Sequence, residues 1–84
     1  MMMTKVLFFA QLRELLQCEQ IELPLTEPTD IRSLTLLLIS TRPAWQEHLQ
    51  LTRLLCAVNQ QLCSLDSLVN PGDEVALFPP VTGG

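Results

Sequence analysis

The residues of this chain best suited to chemistry are its last six, Pro79-Pro80-Val81-Thr82-Gly83-Gly84. The two final glycines carry no side chains, so the terminal carboxylate sits on a thin backbone that can enter a narrow slot. The two prolines have a fixed φ and no N–H donor, so they end the preceding strand and direct the chain outward in an extended conformation. Six extended residues reach roughly 20 Å, enough to carry the Gly84 carboxylate into the active site of a partner.

A C-terminal carboxylate must be activated before it can react as an acyl group. Its pKa is about 3.3–3.7, so at neutral pH it is an anion and a poor electrophile. An acyl adenylate made with ATP would supply a leaving group that a sulfur or nitrogen nucleophile can displace. The alternative is a frayed end without a role, which is common for small residues at termini. A strand and the Pro-Pro pair shortly before the glycines favour the reactive end.

Length and composition predict one acidic globular domain. Its 84 residues allow one modest core, and 48% hydrophobic residues with only 17% charged residues indicate a folded chain. The net charge of −4 disfavours nucleic acid and an anionic membrane surface as partners. The apolar run from Val6 to Ala10 is too short for a signal-peptide core or a membrane span. We therefore expect a cytoplasmic protein that binds no nucleic acid and no membrane.

Other chemical sites have little support in the sequence. The three cysteines, Cys18, Cys56 and Cys63, are odd in number and form no C-x-x-C pair, so we expect small buried hydrophobes rather than a disulfide framework. The single histidine, His48, supports neither a zinc site nor a nucleophile triad. Glycine occurs only at positions 72, 83 and 84, which excludes a phosphate-cradling loop. We expect no bound metal and no bound cofactor.

The first half of the chain predicts two strands and a short helical turn between them. A first strand over 5–11 should turn Val6, Phe8 and Ala10 toward the core and leave Phe9 near solvent. Helical spacing of three leucines then predicts a turn of helix, and a second strand follows over 19–25. The three leucines are Leu12, Leu15 and Leu16.

The main helix is predicted to begin at Thr29 or Asp30 as N-cap and to end before Pro43. In the stretch after it, Trp45 is expected to be a packing anchor and His48 an ordinary surface histidine. The expected buried stripe of the helix is Ile31, Leu34, Leu37 and Leu38, widened by Leu36 and Ile39.

The second half predicts three strands, over 54–58, 61–63 and 74–78, with a turn at Asn59-Gln60 and a type II turn at Asn70-Pro71-Gly72-Asp73. Two strands, a helix and three further strands are the order of an α+β, ubiquitin-like β-grasp, in which a mixed sheet wraps on one main helix. We expect this domain to span 1–78 and the extended tail to span 79–84.

A docking patch is the second predicted functional feature. Parallel pairing of the first and last strands would place Phe9 beside Phe78 on one sheet face, and Leu62 could join them from the short strand. Exposed phenylalanines on a sheet suggest a protein-binding surface. The alternative, equally open from the pattern alone, is that they pack in a second small cluster of the same domain.

Three segments of the chain resemble the MoaD-type small, sulfur-carrying subunit of molybdopterin synthase. They are residues 5–15 (KVLFFAQLREL), 57–60 (AVNQ) and 72–84 (GDEVALFPPVTGG). Many ubiquitin-like carriers end in Gly-Gly, but Phe-Pro-Pro-Val-Thr-Gly-Gly over 78–84 is characteristic of this branch. Residues 27–53 are similar in pattern only.

The resemblance implies a carrier rather than an enzyme. A MoeB-type enzyme would use ATP to adenylate Gly84, which becomes a thiocarboxylate with Gly83 beside it. The tail would then enter the large, MoaE-type subunit and give its sulfur to cyclic pyranopterin monophosphate, in a heterotetramer of two small and two large subunits. Phe9, Leu62 and Phe78 match the docking positions of the family, and Arg13 matches a polar contact. With the tail, the implied partner-binding residues are Phe9, Arg13, Leu62, Phe78, Pro79, Pro80, Val81 and Thr82.

Three other classes of protein share parts of this sequence pattern. A ThiS-type sulfur carrier for thiazole synthesis has the same fold and end but usually lacks the Pro-Pro pair. A ubiquitin-like protein modifier would join its C-terminus to lysines. A β-grasp ferredoxin would need four cysteine ligands, and the chain has three.

Overall fold

The computed structural model describes residues 2–50 and 53–79 of the chain. In order along the chain these residues form strands, helices and one short 3-10 turn. The elements are β1 (Met2–Phe8), α1 (Ala10–Leu16), β2 (Gln20–Leu25), β3 (Thr29–Asp30), α2 (Ile31–Thr41), the 3-10 turn (Pro43–Trp45), β4 (Leu55–Val58), β5 (Gln61–Cys63), β6 (Leu68–Val69) and β7 (Glu74–Phe78).

A five-stranded mixed sheet in the order β2-β1-β7-β4-β5 forms the frame of the domain. The central pair, β1 and β7, is parallel, with Phe8 opposite Leu77, and the other neighbours are antiparallel. A parallel pair needs a long crossover, and here the crossover contains α2 and the β4–β5 hairpin. This architecture is the predicted β-grasp.

The hydrophobic core lies between one face of the sheet and α2. Alternate residues of the central strands supply the sheet side, and none of these side chains is more than 2% exposed. Trp45 closes one end, with its ring edge-to-face against Phe8 at a centroid distance of 5.2 Å, and the guanidinium of Arg42 lies 5.0 Å from its ring centroid. The packing role predicted for Trp45 is confirmed. The residues that form the sheet side of the core are Val6, Phe8, Cys56, Val75 and Leu77.

The first strand begins and ends earlier than predicted. It spans Met2–Phe8 instead of 5–11, and the chain reverses at Ala10, where φ is +54°. Ala10 is therefore exposed rather than in the core. The reversal starts α1, which buries Leu12 and Leu16 and leaves Leu15 exposed. Burial of two leucines by a helix outweighs burial of one alanine by a longer strand, because apolar burial scales with the area removed from water.

The buried stripe of α2 is narrower than predicted. Ile31, Leu34 and Leu38 are buried, whereas Leu37 is 43% exposed and Leu36 is 51% exposed. Successive helical residues are rotated by about 100°, so Leu36 lies on the side of α2 opposite the other three, and Leu37, about 60° from Leu34, lies at the edge of the stripe. Thr35 takes the remaining inward position and is fully buried. Ile39, also predicted to widen the stripe, is partly buried against the core.

Both predicted turn signals and the helix start are confirmed. Asn59 and Gln60 have φ of +50° and +69°, as the two-residue turn of a right-twisted hairpin requires. Asp30 is the N-cap of α2, where its Oδ2 accepts a hydrogen bond from the Ser33 N–H at 3.3 Å. That bond lowers the pKa of the Asp30 carboxyl below its ordinary value.

The turn before β7 depends on a glycine. Gly72 has φ of +92°, its N–H donates to Thr4 Oγ1 at 3.1 Å, and the Asp73 N–H donates to the Asn70 carbonyl at 3.0 Å. A Cβ on Gly72 would lie 2.9 Å from Met2 Cε. Because Met2 is 59% exposed, its side chain can move away, and the cost of a side chain here comes from the backbone.

Gly72→Ala should therefore reduce the free energy of unfolding by about 1 kcal/mol. The left-handed conformation strains an alanine in the folded state, and this cost is partly offset because alanine reduces the entropy of the unfolded chain. Urea denaturation measures the change. Gly72→Asn should cost less, since asparagine tolerates this conformation better. Adding Met2→Ala to Gly72→Ala should restore nothing, and a full recovery would show that the methionine clash, not the backbone, is responsible.

Candidate functional site

The face of the sheet opposite α2 carries a continuous apolar row. Leu7 pairs with Ala76, Ala76 with Ala57, and Ala57 with Leu62. These residues alternate with the core residues of the same strands, so their side chains point away from α2. Leu62, at the end of the row on the edge strand β5, is 77% exposed.

A second apolar row lies beside the first, toward the end of β7. Phe78 pairs with Leu55 of β4. Phe8 and Leu77 are the last pair of the β1–β7 ladder, and Phe9 and Phe78 are the residues that follow them. The Phe9 N–H donates to the Leu77 carbonyl at 3.2 Å. Phe9 keeps an extended backbone, with φ of −123° and ψ of 160°, so it continues the register of the strand next to Phe78.

We define the open-face patch as Phe9, Leu55, Leu62 and Phe78. Phe9 is 45% exposed, Leu55 40% and Leu62 77%, while Phe78 is half-buried. Two apolar rows side by side form a contiguous surface, and such surfaces mark protein-binding sites more often than isolated exposed leucines do. The structure brings the three predicted residues Phe9, Leu62 and Phe78 onto one face.

Leu55 is the member of the patch that sequence reasoning missed. The signal for it was present, because alternation along Leu54–Val58 puts Leu54 and Cys56 on one side and Leu55 and Ala57 on the other. Its place in the patch follows only from the antiparallel register that sets it opposite Phe78.

Charged residues border the first apolar row, that of Leu7 and Ala76, at the end of the sheet remote from Phe78. Lys5 is paired with Glu74 on one side and with Glu22 on the other. The patch itself carries no titratable side chain. An apolar centre with a polar rim is the usual composition of a protein–protein interface, and it offers no group for acid–base or nucleophilic catalysis.

The tail begins at the patch end of the sheet. Pro79 directly follows Phe78 and is half-buried. Arg13, one helical turn after Phe9, is exposed, and its N–H donates to the Phe9 carbonyl at 3.4 Å. The predicted site residues Pro80, Val81, Thr82, Gly83 and Gly84 lie outside the described residues.

A shallow pocket of about 210 Å³ lies next to Pro79. His48 lines it with a side chain that is 24% exposed and with Nε2 3.4 Å from Glu47 Oε1, so it is a partly buried histidine of the surface rather than a fully exposed one. The nearby 3-10 turn places His48 there, since its N–H donates to the Trp45 carbonyl at 3.0 Å. Among the described residues that line the pocket there is no cysteine, serine or threonine, so these residues do not provide a nucleophile triad.

The described part of the chain contains neither a candidate metal site nor a membrane-spanning helix. No three His, Cys, Asp or Glu side chains within it are grouped as metal ligands would be. Its helices are all too short or too polar to cross a bilayer. The predicted burial of Cys56 is confirmed, whereas Cys18 and Cys63 are partly exposed at the edge of the core.

The parallel central strands, the crossover through α2 and the apolar outer face define a ubiquitin-like β-grasp protein. The ThiS family model matches residues 6–84. The chain belongs to this family.

Individual relatives agree with that assignment. The chain is 46% identical to the molybdopterin synthase sulfur carrier subunit of Escherichia coli K12, over 98% of this chain and 100% of that protein. A Helicobacter pylori structure, a complex of subunits 1 and 2 of molybdopterin-converting factor, matches with a TM-score of 0.66 and 27% identity, over 99% of this chain and 100% of that one. The H. volcanii small archaeal modifier protein 1 has a TM-score of 0.80 at 21% identity, over 96% and 100%, which shows a shared fold.

Proposed function

We propose that this chain is the sulfur carrier subunit of a molybdopterin synthase. The observation that carries the proposal is the 46% identity that runs through the whole E. coli subunit of that name. The open-face patch and the Gly-Gly end support it independently, because a carrier needs a surface for its partners and a slim reactive terminus. The division into a domain over 1–78 and a tail over 79–84 belongs to the same proposal.

The reactive group in this proposal is the carboxylate of Gly84. A MoeB-type partner binds ATP, a carboxylate oxygen of Gly84 attacks the α-phosphorus, and pyrophosphate leaves. A sulfur nucleophile then displaces AMP, and the chain ends in a thiocarboxylate. Gly83 and Gly84 fit this chemistry because a side chain at either position would widen the tail inside the slot of the partner.

The acceptor of the sulfur lies in the active site of the large, MoaE-type subunit. The open-face patch docks on that subunit, and Phe9, Leu62 and Phe78 make the main apolar contacts with Leu55 beside them. Residues Pro79 to Thr82 carry Gly84 into the active site, where the sulfur passes to cyclic pyranopterin monophosphate. Arg13 lies close enough to Phe9 along α1 to contribute a polar contact at the margin.

The chain catalyses nothing alone in this account. Its single lysine, Lys5, lies in β1 between Glu22 and Glu74, at the end of the sheet remote from Phe78. Groups that bind the pterin and move protons therefore belong to the large subunit. No cofactor is bound by this chain, and ATP is used by the activating partner. The cytoplasmic location and the heterotetramer stay predictions.

Affinity capture tests the pathway. We expect the chain, tagged at its N-terminus so that Gly84 stays free, to retain a molybdopterin synthase large subunit from its native host, identified by mass spectrometry. Loss of that protein from a capture with Leu62→Asp would tie it to the patch. Retention of a thiazole synthase instead, or of many lysine-linked conjugates, would keep the carrier fold and overturn the assigned substrate.

A further inference from the structure

Cys56 and Cys63 face each other across the β4–β5 hairpin. They are directly opposed residues of the antiparallel ladder, and their Sγ atoms are 3.8 Å apart. Opposed residues in such a ladder have Cα atoms roughly 4.5–5.5 Å apart, inside the range of about 4.4–6.8 Å that a disulfide spans. The backbone is therefore already placed for a bond, and rotation of the two side chains can bring the sulfurs to bonding distance.

The two thiols differ in access. Cys56 is 2% exposed, and burial together with the hydrogen bond to Cys63 raises the pKa of its thiol to about 12. Cys63 is only partly buried and lies on β5, the edge strand of the sheet. A reagent in solution can thus reach Cys63 first, while Cys56 is held behind it as the second member of the pair.

We propose that Cys56 and Cys63 form an oxidisable dithiol, a modification site at which a low-molecular-weight disulfide such as oxidised glutathione closes an intrachain bond. The proposal stands on the cross-strand placement of the two sulfurs and does not depend on the assigned sulfur-carrier function.

The reaction balances as two thiol–disulfide exchanges. The Cys63 thiolate attacks one sulfur of the small disulfide, so a mixed disulfide forms and one small thiolate leaves. Cys56 gives up its proton, and its thiolate attacks Cys63 Sγ and displaces the second small thiolate. The protein loses two electrons and two protons, and one small disulfide becomes two small thiols. Thiolate attack on a disulfide is the general route for such exchange.

Closure of the bond would act on the open-face patch through β5. Leu62 immediately precedes Cys63 and points to the opposite face, and Leu62 is the most exposed large hydrophobic residue of the described chain. A disulfide between β4 and β5 therefore restrains the edge strand β5 next to Leu62, which lies at the margin of the open-face patch.

Thiol mapping after equilibration in glutathione buffers tests the proposal. The full chain, in defined ratios of reduced to oxidised glutathione, is quenched with an alkylating reagent and digested with trypsin. Cleavage after Arg53 gives a fragment over 54–84 that contains Cys56 and Cys63 but not Cys18. We expect both cysteines of this fragment to escape alkylation together, and the fragment to weigh two hydrogen atoms less than its reduced, unalkylated form. Addition of dithiothreitol before alkylation should make both cysteines reactive again.

Two variants make the result specific. Cys18→Ser should leave the change in fragment 54–84 intact. Cys63→Ser, at a partly exposed position that tolerates a hydroxyl, should instead leave Cys56 alkylatable after unfolding. Persistent alkylation of both cysteines in the oxidising buffers, a stable glutathione adduct on Cys63 alone, or bonds only between separate chains would overturn the proposal.

Discussion

Deletion of Gly84 is expected to abolish thiocarboxylate formation and to leave the stability of the domain unchanged. Shortening moves the carboxylate by one residue, about 3.5 Å, and a misplacement of about 1 Å can already cost 100-fold in rate. Addition of one alanine after Gly84 should have the same effect. Mass spectrometry of the intact chain after incubation with its activating enzyme, ATP and a sulfur source measures the exchange of oxygen for sulfur.

A matched control adds the same alanine before Met1. That end of the chain leads into the exposed residues Met2 and Met3 and takes no part in the proposed chemistry, so loading should be normal. Normal loading of the chain that lacks Gly84, with an unchanged urea midpoint, would contradict the role given to the terminal carboxylate.

Charge placed in the open-face patch should have the second large effect. Leu62→Asp and Phe78→Asp are each expected to weaken binding to the large subunit by about 30-fold or more, which corresponds to about 2 kcal/mol. An apolar side chain that an interface covers is desolvated on binding, and a carboxylate resists that transfer. Titration calorimetry with the purified large subunit measures the affinity.

Leu36→Asp is the matched control. Leu36 lies on α2, on the opposite side of the domain, and is 51% exposed against 77% for Leu62. The same change of leucine to aspartate there should leave the affinity unchanged. Leu62→Asp should also leave thermal unfolding almost unchanged, whereas Phe78→Asp should lower stability somewhat because Phe78 is half-buried. Equal loss of affinity in Leu36→Asp would show that the patch is misplaced.

Patterns confined to a few neighbouring residues predicted the structure well. The Asn59-Gln60 hairpin, the turn at Gly72 and the cap at Asp30 each follow from the conformation that one or two residues favour. The parallel pairing that joins Phe9 to Phe78 was also predictable, because the strand order admits few topologies. These features place three of the four patch residues.

Features that depend on competition between elements were not predictable from pattern. Ala10 lies outside the core, contrary to the prediction, because helix α1 begins there and buries Leu12 and Leu16. No property of Ala10 itself indicates this. Leu37 was misplaced because a leucine-rich helix gives several nearly equal stripes, and packing against the sheet selects one. The small ladder of β3 with β6 joins two residues to two and is too short for a periodic signal. That Cys56 lies opposite Cys63 likewise follows only from the register of the β4–β5 ladder.

In the proposed function, Gly84 carries sulfur to a pterin. The most direct measurement starts from the chain loaded with isotopically labelled sulfur as a thiocarboxylate, mixed with the large subunit and cyclic pyranopterin monophosphate in a single turnover. We expect the label to leave the chain and appear in the dithiolene of molybdopterin, with Gly84 returned to a carboxylate. Label that stays on the chain while the large subunit is bound, or that is released without entering the pterin, would contradict the account.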